Sequence, residues 1–403
     1  MIMKINRDRL HSQLLGLDLR SPCIVASSVL TGDMERIRLA ERFGAGGIST
    51  KMAMPTTPPK SQPDIILRPK RSGIVSPGDK RLIIDDACSL VKQAKSETSM
   101  AVIANLLAPA EDLEAWQMMA VELRRAGADA LELDISCPHI PKDVDYVPSI
   151  PIGTCVAQFP DATERVTRAV KSVVDIPVLC KLTAQVTDIA EIARACERGG
   201  ADGIVAINGL RAAPPIDIWN GGRPKYSTME RHNLGTLTGT PLFSIACRVV
   251  AEIVRTVNLP VIGCGGVSTW QEAVEMMMWG ASAVEMCTSI IVNGFEVVEK
   301  INAGIDNFMA EKGYSTTSDF VGAALDHVVS IDAVTFRKFD LSVDRSICNM
   351  CRLCLTPGIC VAITASDDAI IIDNDRCLDC GTCVQVCPRH AIKIEYSDVG
   401  VER

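Results

Sequence analysis

Cysteine spacing is the first feature of this chain that implies chemistry. Of 17 cysteines in 403 residues, eight fall between Cys348 and Cys387. They read Cys348-x2-Cys351-x2-Cys354-x5-Cys360, then Cys377-x2-Cys380-x2-Cys383-x3-Cys387-Pro388. Three thiolates at two-residue spacings can wrap three corners of an iron–sulfur cubane, and where two such runs occur the fourth ligand comes from the other run. That rule assigns Cys348, Cys351, Cys354 and Cys387 to one [4Fe–4S] cluster, and Cys377, Cys380, Cys383 and Cys360 to a second. A zinc knuckle asks for two cysteine pairs, not two triplets. The first run departs from the pattern: five residues, Pro357 among them, precede Cys360 where three are usual. The spacing therefore predicts a distorted or potential-shifted cluster at Cys360.

Upstream, polar motifs follow short aliphatic segments. Eight such segments, at 23–26, 47–51, 101–106, 130–135, 177–183, 203–207, 260–264 and 282–287, lack strict alternation, as strands buried on both faces do. Amphipathic helical stretches at 110–126, 188–199 and 269–279 lie between them. Glycines recur at the helix-to-strand junctions, as in Gly127-Ala128-Asp129 and Gly200-Ala201-Asp202, where a left-handed cap would feed a tight turn. Eight βα units over roughly 250 residues predict an α/β fold, a (β/α)8 TIM barrel. A last barrel helix is expected at 294–312. The division read from the sequence is a barrel at 1–330, a linker at 331–343, and a small α+β ferredoxin-like domain with two [4Fe–4S] clusters at 344–403.

The motifs sit where barrel enzymes place their chemistry, at the C-terminal ends of strands. Leu133-Asp134-Ile135-Ser136-Cys137-Pro138-His139 follows the fourth strand, and Lys181-Leu182-Thr183 ends the fifth. Ala206-Ile207-Asn208 ends the sixth, Gly263-Cys264-Gly265-Gly266-Val267 follows the seventh, and Met286-Cys287-Thr288-Ser289 the eighth. With these motifs the chain resembles the dihydroorotate and dihydropyrimidine dehydrogenase superfamily over nearly its whole length. Ser-Cys-Pro-His and the fused ferredoxin segment make the dihydropyrimidine branch the closer likeness.

The resemblance implies an FMN- and iron–sulfur-dependent oxidoreductase acting on a C–C bond of a nitrogen heterocycle. It implies that Lys51 and Lys181 approach the flavin ring, where a cation stabilises charge arriving on reduction. Ala26 and Ser27 would contact the flavin, while Gly239, Gly265, Gly266, Cys287 and Thr288 would hold its phosphate. Cys137 would exchange the proton with substrate, since a thiol can deliver one and recover it from water. The bland alternative is an inert core thiol, the reading given to Cys180, Cys196 and Cys247. Cys137 differs in lying just past a strand, in a polar loop. The proline-rich segment 140–160 reads as an active-site lid.

Several positions depart from the family. Asn208 matches a ring-binding asparagine, but Asp134 stands where Asn is usual, and Gln185 follows Ala184 where the family has Pro-Asn. Glu111 and Asp112 occupy a loop where an Asn is expected, and Gly209 replaces a Thr. An ionised aspartate only accepts hydrogen bonds. Asp134 therefore predicts a substrate with extra donors, such as an amino, amidine or cationic nitrogen, with Arg211 meeting an acidic group on it. The alternative keeps a pyrimidine and a protonated or lysine-paired Asp134.

Composition limits the partners. A net charge of −8 without a basic run argues against nucleic acid. No apolar stretch reaches the ~18 residues of a membrane span, and no signal-peptide core opens the chain, so a cytoplasmic location is expected. No Gly-x-Gly-x-x-Gly follows a strand, so electrons would come from a separate FAD/NAD(P)H subunit or a ferredoxin. A homodimer or hetero-oligomer is expected by analogy. A non-pyrimidine substrate for the same chemistry, and an electron-relay subunit without catalysis, are the competing readings; Cys137 speaks against the relay.

Overall fold

The computed structural model describes residues 5–55, 65–67, 74–78, 81–137, 153–225, 230–231, 235–335 and 337–396. The chain divides into two units, Met1–His327 and Val328–Arg403. The first holds eight parallel strands: β1 Cys23–Val25, β2 Gly47–Ser49, β3 Ala101–Leu106, β4 Ala130–Leu133, β5 Val178–Leu182, β6 Gly203–Ala206, β7 Val261–Cys264 and β8 Ala281–Met286. Each pairs with the next, and β8 pairs with β1 through Val284–Met286 against Cys23–Val25, which closes the barrel. The four junction glycines, Gly44, Gly127, Gly200 and Gly280, have φ between 84° and 109°, the left-handed caps expected from the sequence.

Alternation along the strands builds the barrel in layers. The lowest layer is apolar: Ile24, Ile103, Ala130, Leu179, Val205, Ile262 and Ala283 pack with Leu14, Leu17 and Leu19. Those leucines belong to a hairpin, Ser12–Leu14 with Leu17–Leu19, that plugs the N-terminal end. Two residues further along β3, β4, β5 and β8 the inward positions become polar. Asn105, Glu132, Lys181 and Glu285 are reached in this way, all buried.

Above the strands, an antiparallel sheet missed in the sequence reading joins distant loops. Leu210–Ala212 pairs with Gly235–Thr238, which pairs with Ile74–Gly78, which pairs with Ile65–Leu67. It explains Gly209, where a Cβ would lie 2.3 Å from the Thr236 methyl. The last barrel helix is Glu296–Lys312, ending in Gly313 at φ 73°. Most of the segment 140–160 lies outside the described residues. Its end is not lid: Pro160 opens the helix Pro160–Lys171, where a missing N–H costs nothing.

The second unit is built on two strand pairs, Phe339–Val343 with Ile392–Tyr396 and Ile363–Ala365 with Ile370–Ile372. Leu341, Ile363, Ile370 and Ile392 pack with Cys354 and Cys383. The linker expected at 331–343 is thereby corrected, because Phe339–Val343 is a strand of this unit. Backbone geometry repeats in the two cysteine runs: φ is positive at Met350 and Arg352, and again at Asp379 and Gly381. Residues flanking the middle cysteine are thus left-handed in both runs, a backbone form found where main-chain N–H groups bind anions.

Candidate active site and cluster cavities

One cleft opens at the C-terminal ends of the barrel strands, where barrel enzymes place their ligands. Ala26, Ser27, Asp134, Cys137, Lys181, Asn208, Gly239, Gly265, Gly266, Cys287 and Thr288 all line it. Lys51 is buried beside pocket-lining Met52, its backbone N–H on Thr31 O at 3.0 Å. Two expected residues stay away. Glu111 is exposed and pairs with Arg165 at 3.1 Å, because Asp112 caps the helix Leu113–Arg125 and turns the loop outward. Arg211 is exposed on the loop sheet, its backbone N–H on Gln185 Oε1 at 2.9 Å. Neither lines the cleft.

The floor is an ion cluster that the sequence reading did not anticipate. Lys181 Nζ lies 2.9 Å from Glu132 Oε1 and 2.7 Å from Glu285 Oε2. Asn105 Nδ2 also donates to Glu132 Oε1, at 2.6 Å. Burial alone would lower the Lys181 pKa, but the two carboxylates hold it well above its usual range. Burial, then the Glu132 charge, push Glu285 up to about 8. Burial acts on Glu132 too, but Lys181 and the bonds it accepts keep it below the ordinary value. Lys181 is therefore a charged lysine wrapped by two acids, not a bare cation. A glutamate inside the aliphatic runs Ala-Leu-Glu-Leu and Ala-Val-Glu-Met was the available signal.

One wall carries the thiol and the polar groups around it. Cys137 is 3% exposed, with Arg81 Nη2 3.8 Å from its Sγ. Nothing in the sequence pointed to Arg81. Asn208 is turned toward the protein: its amide nitrogen donates to Asp134 Oδ1 at 3.0 Å and Ser136 Oγ at 3.2 Å. Its oxygen accepts from Gly209 N at 2.8 Å. Ser136 Oγ donates to the same Asp134 Oδ1 at 3.3 Å. The Asn208 amide and Ser136, through its hydroxyl and backbone N–H, converge on one oxygen of Asp134, which leaves Oδ2 outside the network. Burial raises Asp134 to about 6, against the pull of Lys181.

At the far end the loop after β7 lies on the start of the helix Phe243–Val254, which has no side-chain cap. Gly266 has φ 86°, and a Cβ there would come within 2.7 Å of the Phe243 backbone. The turn Thr240–Leu242 runs into this helix and takes up the Leu242 and Phe243 N–H groups, so an anion there would rest on the glycine backbone and the positive end of the helix. Thr288 closes it through Thr238, hydroxyl to hydroxyl at 2.9 Å.

In the second unit, Cys348, Cys351, Cys354 and Cys387 line one cavity. Cys360, Cys377, Cys380 and Cys383 line another. Among the described residues no three such side chains converge on a point that one ion could fill; each set surrounds a space. Burial opposes ionisation of Cys387, but the N–H groups of Ala391, Arg389, Ile392 and His390 bring it below its usual range. The Thr382 hydroxyl does the same for Cys380.

Comparison with known proteins agrees with both units. The dihydroorotate dehydrogenase family model matches residues 9–309, and the 4Fe–4S binding domain model matches residues 370–393. The chain is 35% identical over 321 residues to dihydroorotate dehydrogenase B (NAD(+)), catalytic subunit, of Pyrococcus abyssi, covering 78% of this chain and 99% of that one. For the protein of the same name from Methanosarcina acetivorans the figures are 36% over 319 residues, 77% and 94%. For that of Methanocaldococcus jannaschii they are 30% over 323 residues, 78% and 98%. Fold, site and comparisons define an oxidoreductase of the class acting on CH–CH groups, with a 4Fe–4S binding segment later in the chain than the barrel. The chain belongs to the dihydroorotate dehydrogenase family. These relatives leave about a fifth of the chain unmatched. No helix among the described residues is long and apolar enough to cross a membrane.

Proposed function

We propose that the barrel binds FMN and oxidises or reduces a C–C bond of a nitrogen heterocycle. The observation that carries this is the single cleft holding the Cys137 thiol, the Asp134 carboxyl, Lys181 and a glycine-built anion site. The residues present fit FMN. Its phosphate would lie on the N–H groups around Gly239, Gly265 and Gly266, facing the positive end of the helix Phe243–Val254, with Thr288 beside it. Ala26, Ser27 and Lys181 would flank its ring. When bound, FMN supplies hydride exchange with substrate and passage from two-electron to one-electron chemistry. Cys137 holds the proton at Sγ and gives it to, or takes it from, the substrate carbon next to the one exchanging hydride.

Substrate recognition falls to Asp134. With Asn208 consumed by its own neighbours, Asp134 Oδ2 is the group left to address a ring substituent, and when ionised it accepts only. The favoured substrate therefore presents an N–H donor there, as an amino-substituted, amidine or cationic heterocycle does. Dihydropyrimidine and dihydroorotate chemistry, the first from the sequence resemblance and the second from the relatives' names, are the alternatives. We assign one [4Fe–4S] cluster to each cysteine cavity. The relatives are named as catalytic subunits of an NAD(+) enzyme, and for this chain a separate NAD(P)H-linked subunit or a ferredoxin would exchange electrons with the tail.

The decisive assay is anaerobic. Protein reduced with dithionite is mixed in turn with uracil, thymine, orotate and amino-substituted heterocycles while the flavin spectrum is followed. Reoxidation by the amino-substituted compounds is expected; reoxidation by none of the four classes would sink the reading. Two substitutions test the cofactors. Gly266→Val forces a branched side chain onto the Phe243 backbone at a positive φ, so FMN per chain should fall at least tenfold in dialysed protein. Cys360→Ser should cut iron from about eight atoms per chain to about four. About eight atoms in the variant would exclude Cys360 as a required ligand, and only about four in the native protein would leave the second cavity without a cluster.

A further inference from the structure

Two acids around one lysine leave a charge that the site must settle. Asn105, Glu132, Lys181 and Glu285 form one buried layer, and the two glutamates together outweigh the single ammonium. Two carboxyl oxygens there have no partner: Glu132 Oε2 and Glu285 Oε1. These are the oxygens not used on Lys181, and both side chains close on the same ammonium, one from β4 and one from β8. Two ionised carboxylates on one ammonium repel each other and leave both oxygens unsatisfied, because each only accepts. One proton between them satisfies both orphan oxygens at once, where an unmade buried bond is otherwise costly.

We propose that Glu132 and Glu285 share a single proton, which makes the cluster around Lys181 electrically neutral and acts as a redox-linked proton store beneath the pocket. The proton resides on Glu285 Oε1 and is donated to Glu132 Oε2. Glu132 Oε1 takes two donors, Lys181 and Asn105, and is the better-stabilised anion, whereas Glu285 accepts from Lys181 alone. Losing the proton to solvent breaks only the Oε1–H bond and leaves the cluster at −1. The ionisable neighbours are few. Cys264 faces Glu285 from β7 and is kept a thiol by burial; Asp134 lies above Glu132, Cys287 follows β8, and Lys51 is the other buried cation among the described residues. No ionisable side chain faces it from β1.

The redox half of this rests on the flavin reading; the proton does not. Negative charge arriving above the floor raises the affinity of the pair for its proton. Between the two affinities, reduction draws one proton from solvent for two electrons. Glu285 acts through Lys181 and is a positioning residue.

The test is the midpoint potential of the flavin against pH, in the holoenzyme and in Glu285→Gln. Gln keeps the shape and cannot ionise. The native protein should steepen above about pH 8 by a further tenfold in the reduction equilibrium per pH unit, about 30 mV, and the variant should not. At pH 7 the two potentials should agree; a rise in the variant would mean that Glu285 was already ionised, which overturns the proposal. Infrared difference spectra between pH 7 and pH 9.5 on the full chain, with or without flavin, decide independently. Loss of a protonated-carboxyl band on alkalinisation, absent from Glu285→Gln, is expected. A chain that purifies without flavin but shows the band defeats the proposed function and keeps the shared proton. No band at pH 7 defeats the shared proton whatever the flavin does.

Discussion

Cys137→Ala should keep its flavin and its iron and lose turnover by roughly 10²–10⁴-fold, the usual worth of a positioned general acid or base. The geometry gives the reason. Cys137 lines the cleft at 3% exposure, so water has little room to replace it as a proton source. The Arg81 guanidinium at 3.8 Å places a cation where the sulfur would carry charge after giving up its proton. Alanine removes the acid and leaves the phosphate end of the pocket and the ion cluster untouched. The split between half-reactions is diagnostic: reduction of the clusters by dithionite should keep its rate, while flavin reoxidation by substrate slows. Full turnover in the variant would identify the chain as an electron relay, since a relay needs no proton donor.

The contrast between Cys137 and the residues around it shows what a sequence exposes. Its strand end, its polar loop and the triplet spacing of the tail cysteines are local features, so they could be placed before any coordinates. The eight barrel strands were legible for the same reason: a strand buried on both faces is an aliphatic run with its own punctuation. What stayed hidden is non-local. Lys181 meets Glu132 and Glu285 across gaps of 49 and 104 residues, and only closure of the barrel brings β4, β5 and β8 around one point. Arg81 reaches Cys137 from a segment with no motif of its own. Glu111 and Arg211 were misplaced because loop proximity in sequence was taken for proximity in space; a helix cap and a strand pairing direct them elsewhere. Phe339–Val343 looked like a linker because its partner strand lies about 50 residues later and its alternation is weak.

The Asp134→Asn exchange should redirect substrate preference, and it tests the most unusual residue of the pocket. Asn retains an acceptor for Asn208 and Ser136 and turns Oδ2 into an amide donor. A ring carbonyl at that position gains a partner and an N–H loses one. An unmade buried hydrogen bond costs about 1–3 kcal/mol, so the ratio of kcat/KM between amino-substituted and carbonyl heterocycles should shift by roughly 5–150-fold toward the carbonyl compounds. The native pH profile follows from the same group. Burial raises Asp134 to about 6, so it is an acceptor above that pH and becomes protonated below it. Efficiency toward a donor-bearing substrate should therefore fall about tenfold per unit below pH 6, and the Asn variant should lack this limb. Stability moves oppositely. The native pKa lies above that of the unfolded chain, so ionisation between about pH 4 and 6 weakens the fold, and Asn removes that penalty. The variant should be more stable at pH 8 by about 2–3 kcal/mol, measured by chemical denaturation. A variant that is stabilised but unchanged in preference would make Asp134 a strained neighbour of the site and not its reader.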